Sequence, residues 1–307
     1  MPEVAGAGAV RILLTGGTGY IGRHVAEACL DCGWEVHLLT RPASILPPAL
    51  DGRVGRHDHQ PTFESLNAVL RAVRPECVAH LASAPAGARD PEQVQQTIET
   101  NVTLPTLLLE AMAANGIGRF VNTGTFWQHY RGEAFCPVDL YAAAKQAFQD
   151  VVRHYAVNRG LVAITLKLFD TYGPDDPRRK IVTLLVDAAR KGGDLGMSGG
   201  EQILDLTHVA DVGRAFVQAI ALALAAPGGH EASYFVSGER MSLKELARIV
   251  TAAVGQHFAP RFGALAYRER EIMVPIDPGT DRLPGWAPKH RVGDMIATLL
   301  PGGPAVA

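Results

Sequence analysis

A glycine-rich turn near the start of the chain constrains its fold more than any other feature. Residues 15–22 read TGGTGYIG, a GxxGxxG spacing between a β-rich run at residues 11–15 and a helical pattern at residues 20–31. Glycines at this spacing permit a tight turn and bring the backbone close to a pyrophosphate, which the free N–H groups of the helix then bind. A purely structural turn is the alternative, but the strand–turn–helix context favours a dinucleotide site. The residues predicted to form this site are Gly16, Gly19, Tyr20, Ile21 and Gly22.

β-rich runs and helical patterns alternate along the first 170 residues. Strands are predicted at residues 11–15, 35–40, 77–82, 119–123 and 161–169, and helices at residues 20–31, 63–73, 91–115 and 141–158. This βαβαβαβαβ order is typical of a parallel sheet with helices on both faces. The sequence therefore predicts an α/β fold built on a Rossmann-type doubly wound parallel sheet.

The pattern changes after the TYGP run at residues 171–174, where short elements alternate with glycine-rich and proline-rich loops. We expect residues 1–170 to form the dinucleotide-binding domain, with residues 205–236 returning to it. Residues 171–204 and 237–307 are expected to form a smaller C-terminal α/β cap that binds the substrate.

The composition argues against nucleic acid or a membrane as a partner. The 307 residues are 47% hydrophobic and 20% charged, and a net charge of -2 creates no strong field. No apolar run is long enough to span a bilayer, and residues 1–9 lack the basic and apolar regions of a signal peptide. We therefore expect a loose N-terminal tail and a cytoplasmic protein.

We do not expect a metal site. Cys29 and Cys32 form a CxxC, but no second CxxC and no pair of histidines at ligand spacing accompanies them. Both cysteines lie near the end of a predicted amphipathic helix, so packing is the favoured interpretation. The cluster His57-Asp58-His59 is predicted to be a solvated loop.

Tyr141 and Lys145 are four residues apart in a predicted helix, so their side chains share one face. A free phenol has a pKa near ~10, and a nearby ammonium group lowers that value by stabilising the phenolate. The pair is therefore a candidate proton donor and acceptor. The alternative, a solvated helix face, carries the same residue types.

The choice of dinucleotide depends on the end of the second predicted strand. Residues 35–40 read EVHLLT and are followed by Arg41, so no carboxylate is placed there to bind the adenosine ribose hydroxyls. The guanidinium of Arg41 suits a 2′-phosphate, which favours NADP over NAD. If Arg41 is only a surface charge, NAD is the alternative cofactor.

Several further segments give the chain, from about Val10 to its end, a resemblance to a known family. Residues 80–83 (HLAS), 168–174 (LFDTYGP) and 205–212 (DLTHVADV) are similar to segments of the extended short-chain dehydrogenase/reductase family. The similarity is strongest to the branch that modifies nucleotide sugars. The resemblance implies that Leu81 and Ala82 contact the cofactor, as does Asp58, which falls at the position of an adenine-contacting Asp. It also aligns Asn101 with an Asn of the family.

The resemblance also implies a catalytic hydroxyl. The strand before Tyr141 ends in Thr125, which aligns with the catalytic Ser/Thr of the family, and Thr123 is the alternative. The sequence around these residues most resembles bacterial nucleotide-sugar 4-ketoreductases, the group of abequose and paratose synthases. Phe126 and Trp127 stand where 4,6-dehydratases have an Asp-Glu pair, which disfavours dehydration.

The implied activity is NADPH-dependent reduction of the C4 keto group of a nucleotide-linked 4-keto-6-deoxy sugar, in a homodimer. One alternative is an NAD-dependent nucleotide-sugar epimerase, and another is a non-catalytic NADP-binding regulatory protein. Leu204 stands where many relatives have an Arg that meets the sugar nucleotide, so other residues are expected to bind it. The substrate-binding candidates are Ser83, Thr123, Asp170, Arg178, Arg179 and Lys180.

Overall fold

The computed structural model describes residues 9–84, 87, 90–254 and 258–299. Residues 1–8, predicted to be a loose tail, lie outside the described residues, as do residues 300–307 of the predicted cap. The strands are β1 (Arg11–Thr15), β2 (Glu35–Thr40), β3 (Gly55–Asp58), β4 (Cys77–His80), β5 (Arg119–Thr125), β6 (Val162–Leu168), β7 (Asp170–Tyr172), β8 (Asp194–Gly196), β9 (Ile203–His208), β10 (Glu231–Val236), β11 (Glu239–Ser242) and β12 (Ala259–Arg261). The helices are α1 (Tyr20–Asp31), α2 (Phe63–Val73), α3 (Pro91–Ile98), α4 (Leu104–Ala114), α5 (Leu140–Arg159), α6 (Ile181–Lys191), α7 (Val209–Ala225), α8 (Leu243–Val254) and α9 (Val292–Thr298).

The larger sheet has the strand order β10-β6-β5-β4-β1-β2-β3, and its neighbouring strands run parallel. One face packs on α1 and α7 through residues such as Val25 and Phe216. The other face packs on α2, α4 and α5 through residues such as Leu66 and Phe148. Burying both apolar faces stabilises a parallel sheet, so the predicted Rossmann-type fold is confirmed. The carboxyl ends of the strands meet at one edge, where such folds bind their ligands.

A second, smaller sheet has the order β11-β9-β7, and β8 pairs with β12. These strands pack on α6, α8 and α9 through a separate apolar cluster that includes Leu185, Leu246 and Ile296. Within residues 205–236, α7 and β10 lie with the larger sheet, whereas β9 pairs with β7 and β11. The return of the chain to the larger sheet therefore begins at Val209 and not at residue 205.

The chain passes between the two sheets through short junctions. Phe169 is the single residue between β6 and β7, and α7 follows directly after His208 at the end of β9. Ser237 and Gly238 separate β10 from β11. The buried carboxylate of Asp205 braces this last junction, since it accepts hydrogen bonds from Ser237 Oγ at 2.7 Å and from the Gly238 N–H at 2.8 Å.

The segment around His57 is an edge strand and not the predicted solvated loop. β3 pairs with β2, and His57 Nε2 lies 2.9 Å from His37 Nδ1 on the neighbouring strand. Gly55 leaves room for this histidine pair, because a Cβ at Gly55 would lie 2.3 Å from His37 Nδ1. The prediction was wrong because the strand is short and polar and so lacks an apolar alternation.

The predicted helix at residues 91–115 is present, but a π-helical turn at Glu99–Thr103 separates α3 from α4. The turn contains Asn101, which is fully buried. Its Nδ2 donates to the Thr97 carbonyl at 3.0 Å, and its Oδ1 accepts from Ser83 Oγ at 2.8 Å. The π turn thus carries a buried amide toward the carboxyl end of β4. Such turns are frequent at functional sites.

The four cysteines, all within the described ranges, are free thiols, and Cys29 packs in the cluster between the sheet and α1. The described residues contain no group of three or more His, Cys, Asp or Glu side chains that is arranged to hold a metal ion. Among the described helices, none combines the length and the apolar character needed to cross a membrane.

Candidate active site

The glycine turn between β1 and α1 leaves no space for side chains. Gly16 has a φ of +72°, and a Cβ on it would lie 2.5 Å from the Ala82 backbone nitrogen. A Cβ on Gly22 would lie 2.0 Å from the Gly16 carbonyl oxygen. Gly19 is the N-cap of α1 and supplies no side-chain cap, so the first N–H groups of the helix face the turn uncapped. This geometry fits a bound pyrophosphate.

The turn after β4 packs against this glycine turn. Thr15 Oγ1 accepts hydrogen bonds from the Leu81 N–H at 3.2 Å and the Ala82 N–H at 3.1 Å. It also lies 2.8 Å from His80 Nδ1. Burial and the charge of Lys145 lower the pKa of His80 to about 3, so this ring is neutral. The structure thus brings Leu81 and Ala82 next to the predicted pyrophosphate site.

Arg41 follows β2 and Asp58 ends β3, so both lie at the β3 edge of the larger sheet. Arg41 is exposed and has no ion-pair partner among the residues that the structure describes. Asp58 accepts a hydrogen bond from Thr40 Oγ1 at 2.7 Å and pairs with Arg56 at 2.9 Å. The hydrogen bond from Arg56 is the main cause that lowers the pKa of Asp58. Arg56 was not predicted from the sequence; it also donates to the Pro42 carbonyl at 3.0 Å and so ties the loop after β2 to β3.

Helix α5 carries the Tyr141/Lys145 pair in its first turns. Asp139 is the N-cap of the helix, and its side chain accepts a hydrogen bond from the Ala142 N–H at 2.9 Å. Lys145 is 1% exposed, and its Nζ lies 5.9 Å from the centroid of the Tyr141 ring. This Nζ has no hydrogen-bond partner among the described residues. Burial lowers the pKa of Lys145 to about 8. An unpaired buried ammonium is costly, and it marks a place where ligand oxygens would be bound.

Burial also controls the Tyr141 phenol. Its pKa is raised because burial disfavours the phenolate, and a hydrogen bond with the Ser83 side chain acts in the opposite direction. The sequence predicted that Lys145 would lower this pKa, and that direction was wrong. Desolvation is the stronger effect here. Ser83 also bonds Asn101, so the π turn orients the serine beside the phenol.

The two candidate hydroxyls at the end of β5 differ in what they contact. Thr123 Oγ1 donates its proton to the His80 carbonyl at 2.7 Å, so this hydroxyl is engaged within the sheet. Thr125 Oγ1 instead accepts from the Trp127 N–H at 3.3 Å and keeps its own proton to donate. Thr125 is 8% exposed. This difference favours Thr125 over Thr123 as a substrate hydrogen-bond donor.

A cleft of about 720 Å³ lies next to the turn that follows Thr125, and residues of β7, β8 and β9 also line it. One part is lined by Phe126, Trp127 and Asp139, near the start of α5. Four cationic side chains also line the cleft: Arg179, Lys180, Arg268 and Arg270. Its remaining wall is largely apolar and includes Leu195, Met197, Leu243 and Leu265. Four carboxylates, Asp139, Asp170, Asp205 and Glu271, also line it, so the cleft offers partners both for an anionic group and for the hydroxyl groups of a ligand.

The cationic side chains divide into bound and available groups. Arg178 pairs with Asp176 at 2.7 Å and donates to the Thr171 carbonyl at 2.8 Å, so its guanidinium is engaged within the protein. It also lies 4.6 Å from the centroid of the Tyr20 ring and does not line the cleft. Lys180 Nζ lies 5.5 Å from the Trp127 ring, inside the cleft.

Arg268 and Arg270 were not predicted from the sequence. They come from a loop more than 80 residues after Lys180, and no local pattern around them signals a site. Arg270 stacks over the Tyr130 ring at 4.4 Å, which holds its guanidinium near the cleft.

Asp170 lines the cleft, and its carboxyl group has no hydrogen-bond partner in the described part of the chain. Burial raises its pKa, and the charge of Lys180 opposes that effect. A hydrogen-bond donor from a ligand would stabilise this half-buried carboxyl. The structure thus brings Asp170, Arg179 and Lys180 into one cleft and places Arg178 outside it.

Comparison with known proteins then identifies the family. The family model described as the NAD dependent epimerase/dehydratase family matches residues 12–232, which is well over half of the chain. The chain belongs to this family. A nicotinamide dinucleotide is the cofactor that this family name indicates, and the glycine turn of this family member has a geometry that fits its pyrophosphate.

Several relatives align over most of this family member. It is 27% identical to the CDP-abequose synthase of Yersinia pseudotuberculosis, over 87% of this chain and 92% of that protein. It is 26% identical to the UDP-glucose 4-epimerase of Azospirillum brasilense, over 96% of this chain and 92% of that protein. The crystal structure of the Thermus thermophilus UDP-glucose 4-epimerase with NAD superposes with a TM-score of 0.78, 26% identity, and coverage of 94% of this chain and 96% of that chain.

Proposed function

We propose that this family member reduces the C4 keto group of a nucleotide-linked 4-keto-6-deoxy sugar with NADPH. The observation that carries the proposal is the pair that follows Thr125, where Phe126 and Trp127 line the cleft beside the candidate hydroxyl. Neither side chain can exchange a proton, so elimination of water across C5 and C6 has no acid or base here. The 27% identity to a CDP-abequose synthase supports the same class of substrate.

The proposed reduction needs one proton donor and one hydrogen-bond donor at the carbonyl oxygen. NADPH, when bound, supplies the hydride that adds to C4 and is left as NADP⁺. Tyr141 gives its phenolic proton to the oxygen as negative charge develops on it. Tyr141 is protonated at neutral pH, as a proton donor must be, since burial raises its pKa above the ordinary value near ~10. Thr125 Oγ1 donates a hydrogen bond to the same oxygen.

Lys145 has a binding role in this scheme. Its ammonium lies unpaired inside the protein, next to Tyr141. The ribose hydroxyls of the nicotinamide nucleotide would supply the missing acceptors and keep the ammonium charged. A charged Lys145 would in turn stabilise the phenolate that Tyr141 becomes after it donates its proton.

The remaining candidates bind the two ligands. The glycine turn and its flanking residues hold the cofactor pyrophosphate, and Arg41 pairs with the 2′-phosphate that distinguishes NADP from NAD. Arg179 and Lys180, with Arg268 and Arg270, neutralise the substrate diphosphate in the cleft. Asp170 accepts a hydrogen bond from a ligand hydroxyl. We also propose a homodimer through α3 and α5, where Val94, Ile98 and Val157 are 41%, 39% and 73% exposed.

One assay tests this function. Purified protein is mixed with NADPH and, in turn, with CDP-, dTDP-, GDP- and UDP-linked 4-keto-6-deoxy sugars, and the loss of NADPH absorbance is followed. We expect oxidation with one of them and a single C4 configuration of the product by NMR. No oxidation with any substrate overturns the proposal. Protein that copurifies with NAD and interconverts sugar epimers without consuming NADPH would instead establish an epimerase.

A further inference from the structure

Gln128 occupies an unusual position behind the candidate catalytic hydroxyl. After Thr125 the chain makes a short 3₁₀ turn at Phe126–Gln128, and the Gln128 side chain folds back and is fully buried. Its Oε1 accepts a hydrogen bond from the Thr125 N–H at 2.9 Å. The side chain therefore bonds the backbone of the residue that carries the candidate catalytic hydroxyl.

The other end of the same amide reaches the helix that carries Tyr141 and Lys145. A backbone N–H can only donate, so the atom of Gln128 next to Thr125 must be Oε1, and Nε2 points away. Nε2 donates to Gln146 Oε1 at 2.8 Å and to Gln149 Oε1 at 3.0 Å, both on α5. One buried side chain thus connects the Thr125 turn to the helix segment directly after Lys145.

The hydrogen-bonded connection continues from α5 to β10. Gln149 Oε1 is used by Gln128, so its Nε2 faces outward and donates to Ser233 Oγ on β10 at 3.0 Å. The Thr125 N–H fixes the orientation of the Gln128 amide, and the Gln128 amide in turn fixes the orientation of the Gln149 amide. The carbonyl oxygen and both N–H groups of the buried Gln128 amide are thus engaged, which holds this side chain in one arrangement.

Gly124 leaves the space that the Gln128 side-chain amide occupies. A Cβ on Gly124 would lie 2.9 Å from Gln128 Oε1 and 3.1 Å from both Lys167 Cγ and Thr165 Cγ2. Any larger residue at this position would therefore push against the amide that bonds the Thr125 N–H. The glycine leaves the space that the connection needs.

We infer that Gln128 is a positioning residue, which sets the placement of the Thr125 hydroxyl relative to Tyr141 by linking the Thr125 turn to α5. The inference rests on the proposed role of Thr125 in ketoreduction. Small displacements of a reacting group are expensive, since a misplacement of about 1 Å can lower a rate by about 10²-fold. Gln128 acts only through Thr125, and it touches neither the carbonyl nor the cofactor in this scheme.

The test is a double-mutant cycle between Gln128→Met and Thr125→Val, scored by kcat for NADPH-dependent ketoreduction. Methionine keeps the length of the side chain and removes the three hydrogen bonds. We expect Gln128→Met alone to lower kcat by roughly 10- to 100-fold, with the substrate KM and the NADPH Kd changed less than about twofold. With Thr125→Val already present, Gln128→Met should cause no further loss. A role in overall stability alone would lower kcat by the same factor in both backgrounds.

Gln218→Met is the matched control. Gln218 lies on α7 and donates a hydrogen bond to the Pro284 carbonyl at 2.9 Å, so the variant also removes a glutamine hydrogen bond. We expect it to leave kcat unchanged. If Gln128→Met does not fold, Gly124→Ala takes its place in the cycle, because its Cβ displaces the Gln128 amide without removing it.

The outcomes separate the two proposals. If Thr125→Val leaves kcat unchanged, the proposed catalytic role of Thr125 fails. If Thr125→Val lowers kcat but the loss from Gln128→Met, or from Gly124→Ala, is the same in both backgrounds, the positioning role fails while the proposed function stands.

Discussion

The Lys145 ammonium lies 5.9 Å from the centroid of the Tyr141 ring, one helical turn away, without a hydrogen-bond partner among the described residues. Burial lowers the pKa of the lysine to about 8 and raises that of the tyrosine. Both shifts disfavour charge, so the phenol keeps its proton at neutral pH. A protonated Tyr141 is what the proposed reduction needs, and a ligand that satisfies Lys145 would stabilise the pair.

Replacing Tyr141 with Phe removes the proposed proton donor and leaves the packing of the ring. We expect kcat for ketoreduction to fall by at least ~10²-fold, the usual contribution of a positioned acid. The Kd for NADPH, followed by its fluorescence, should stay close to that of the wild type. Near-normal turnover of Tyr141→Phe on a verified substrate would contradict the assignment.

Lys145→Met should stabilise the protein without cofactor at neutral pH. The lowered pKa corresponds to a cost of about 3 kcal/mol for burying the ammonium, relative to the unfolded chain. Below pH 8 this cost is present in full, because the lysine is charged in both states. As the pH rises from about 8 to 10.5, the folded chain loses its proton first and the cost is relieved. Urea unfolding should therefore show a gain of about 1–3 kcal/mol at pH 7 that shrinks by about pH 9.5.

The same substitution should weaken NADPH binding, because the ribose hydroxyls lose their proposed donor. A Lys145→Met protein that is less stable than the wild type at pH 7 would contradict the account of the buried charge. Unchanged NADPH affinity would contradict the binding role. The two measurements are independent of turnover.

Gly22→Ala should distort the cofactor turn. Its Cβ would lie 2.0 Å from the Gly16 carbonyl oxygen, so the backbone must move. We expect a loss of about 1–3 kcal/mol in the free energy of unfolding, together with greatly weakened NADPH binding. Gly118→Ala is the control, since a Cβ there meets no described atom within 4 Å. Equal effects of the two variants on NADPH binding would argue against the turn as the pyrophosphate site.

Arg41→Ala tests the choice of cofactor. If its guanidinium pairs with the 2′-phosphate, the Kd for NADPH should rise roughly tenfold or more, while the Kd for NADH should hardly change. Arg53→Ala removes another exposed guanidinium, which donates to the Ala49 carbonyl, and should change neither constant. A wild-type protein that binds NADH as tightly as NADPH would contradict the preference for NADP.

The sequence predicted what depends on local patterns. The glycine turn, the alternation of strands and helices and the Tyr141/Lys145 spacing are set by short stretches of chain, and the parallel sheet follows from their order. The polar strand at Gly55–Asp58 was not predicted, because its short sequence has no strand pattern and it is a strand only through its pairing with β2. The pKa of Tyr141 moved in the unexpected direction because burial, which the spacing does not reveal, is the largest cause of its shift.

The residues that sequence reasoning missed act across long distances in the chain. Arg268 and Arg270 reach the cleft from a loop whose composition resembles an ordinary charged surface. Gln128 has a role only because Thr125, Gln146 and Gln149 surround it in the folded protein. The roles of these residues depend on contacts between distant parts of the chain, and no spacing pattern in a single sequence indicates such contacts.

The short junctions between the two sheets have a consequence for turnover. Phe169 alone separates β6 from β7, and β9 continues into α7 without a loop. A hinge needs residues free to change φ and ψ, and these crossings offer almost none. Opening of the cleft by rotation of one sheet against the other is therefore disfavoured during turnover.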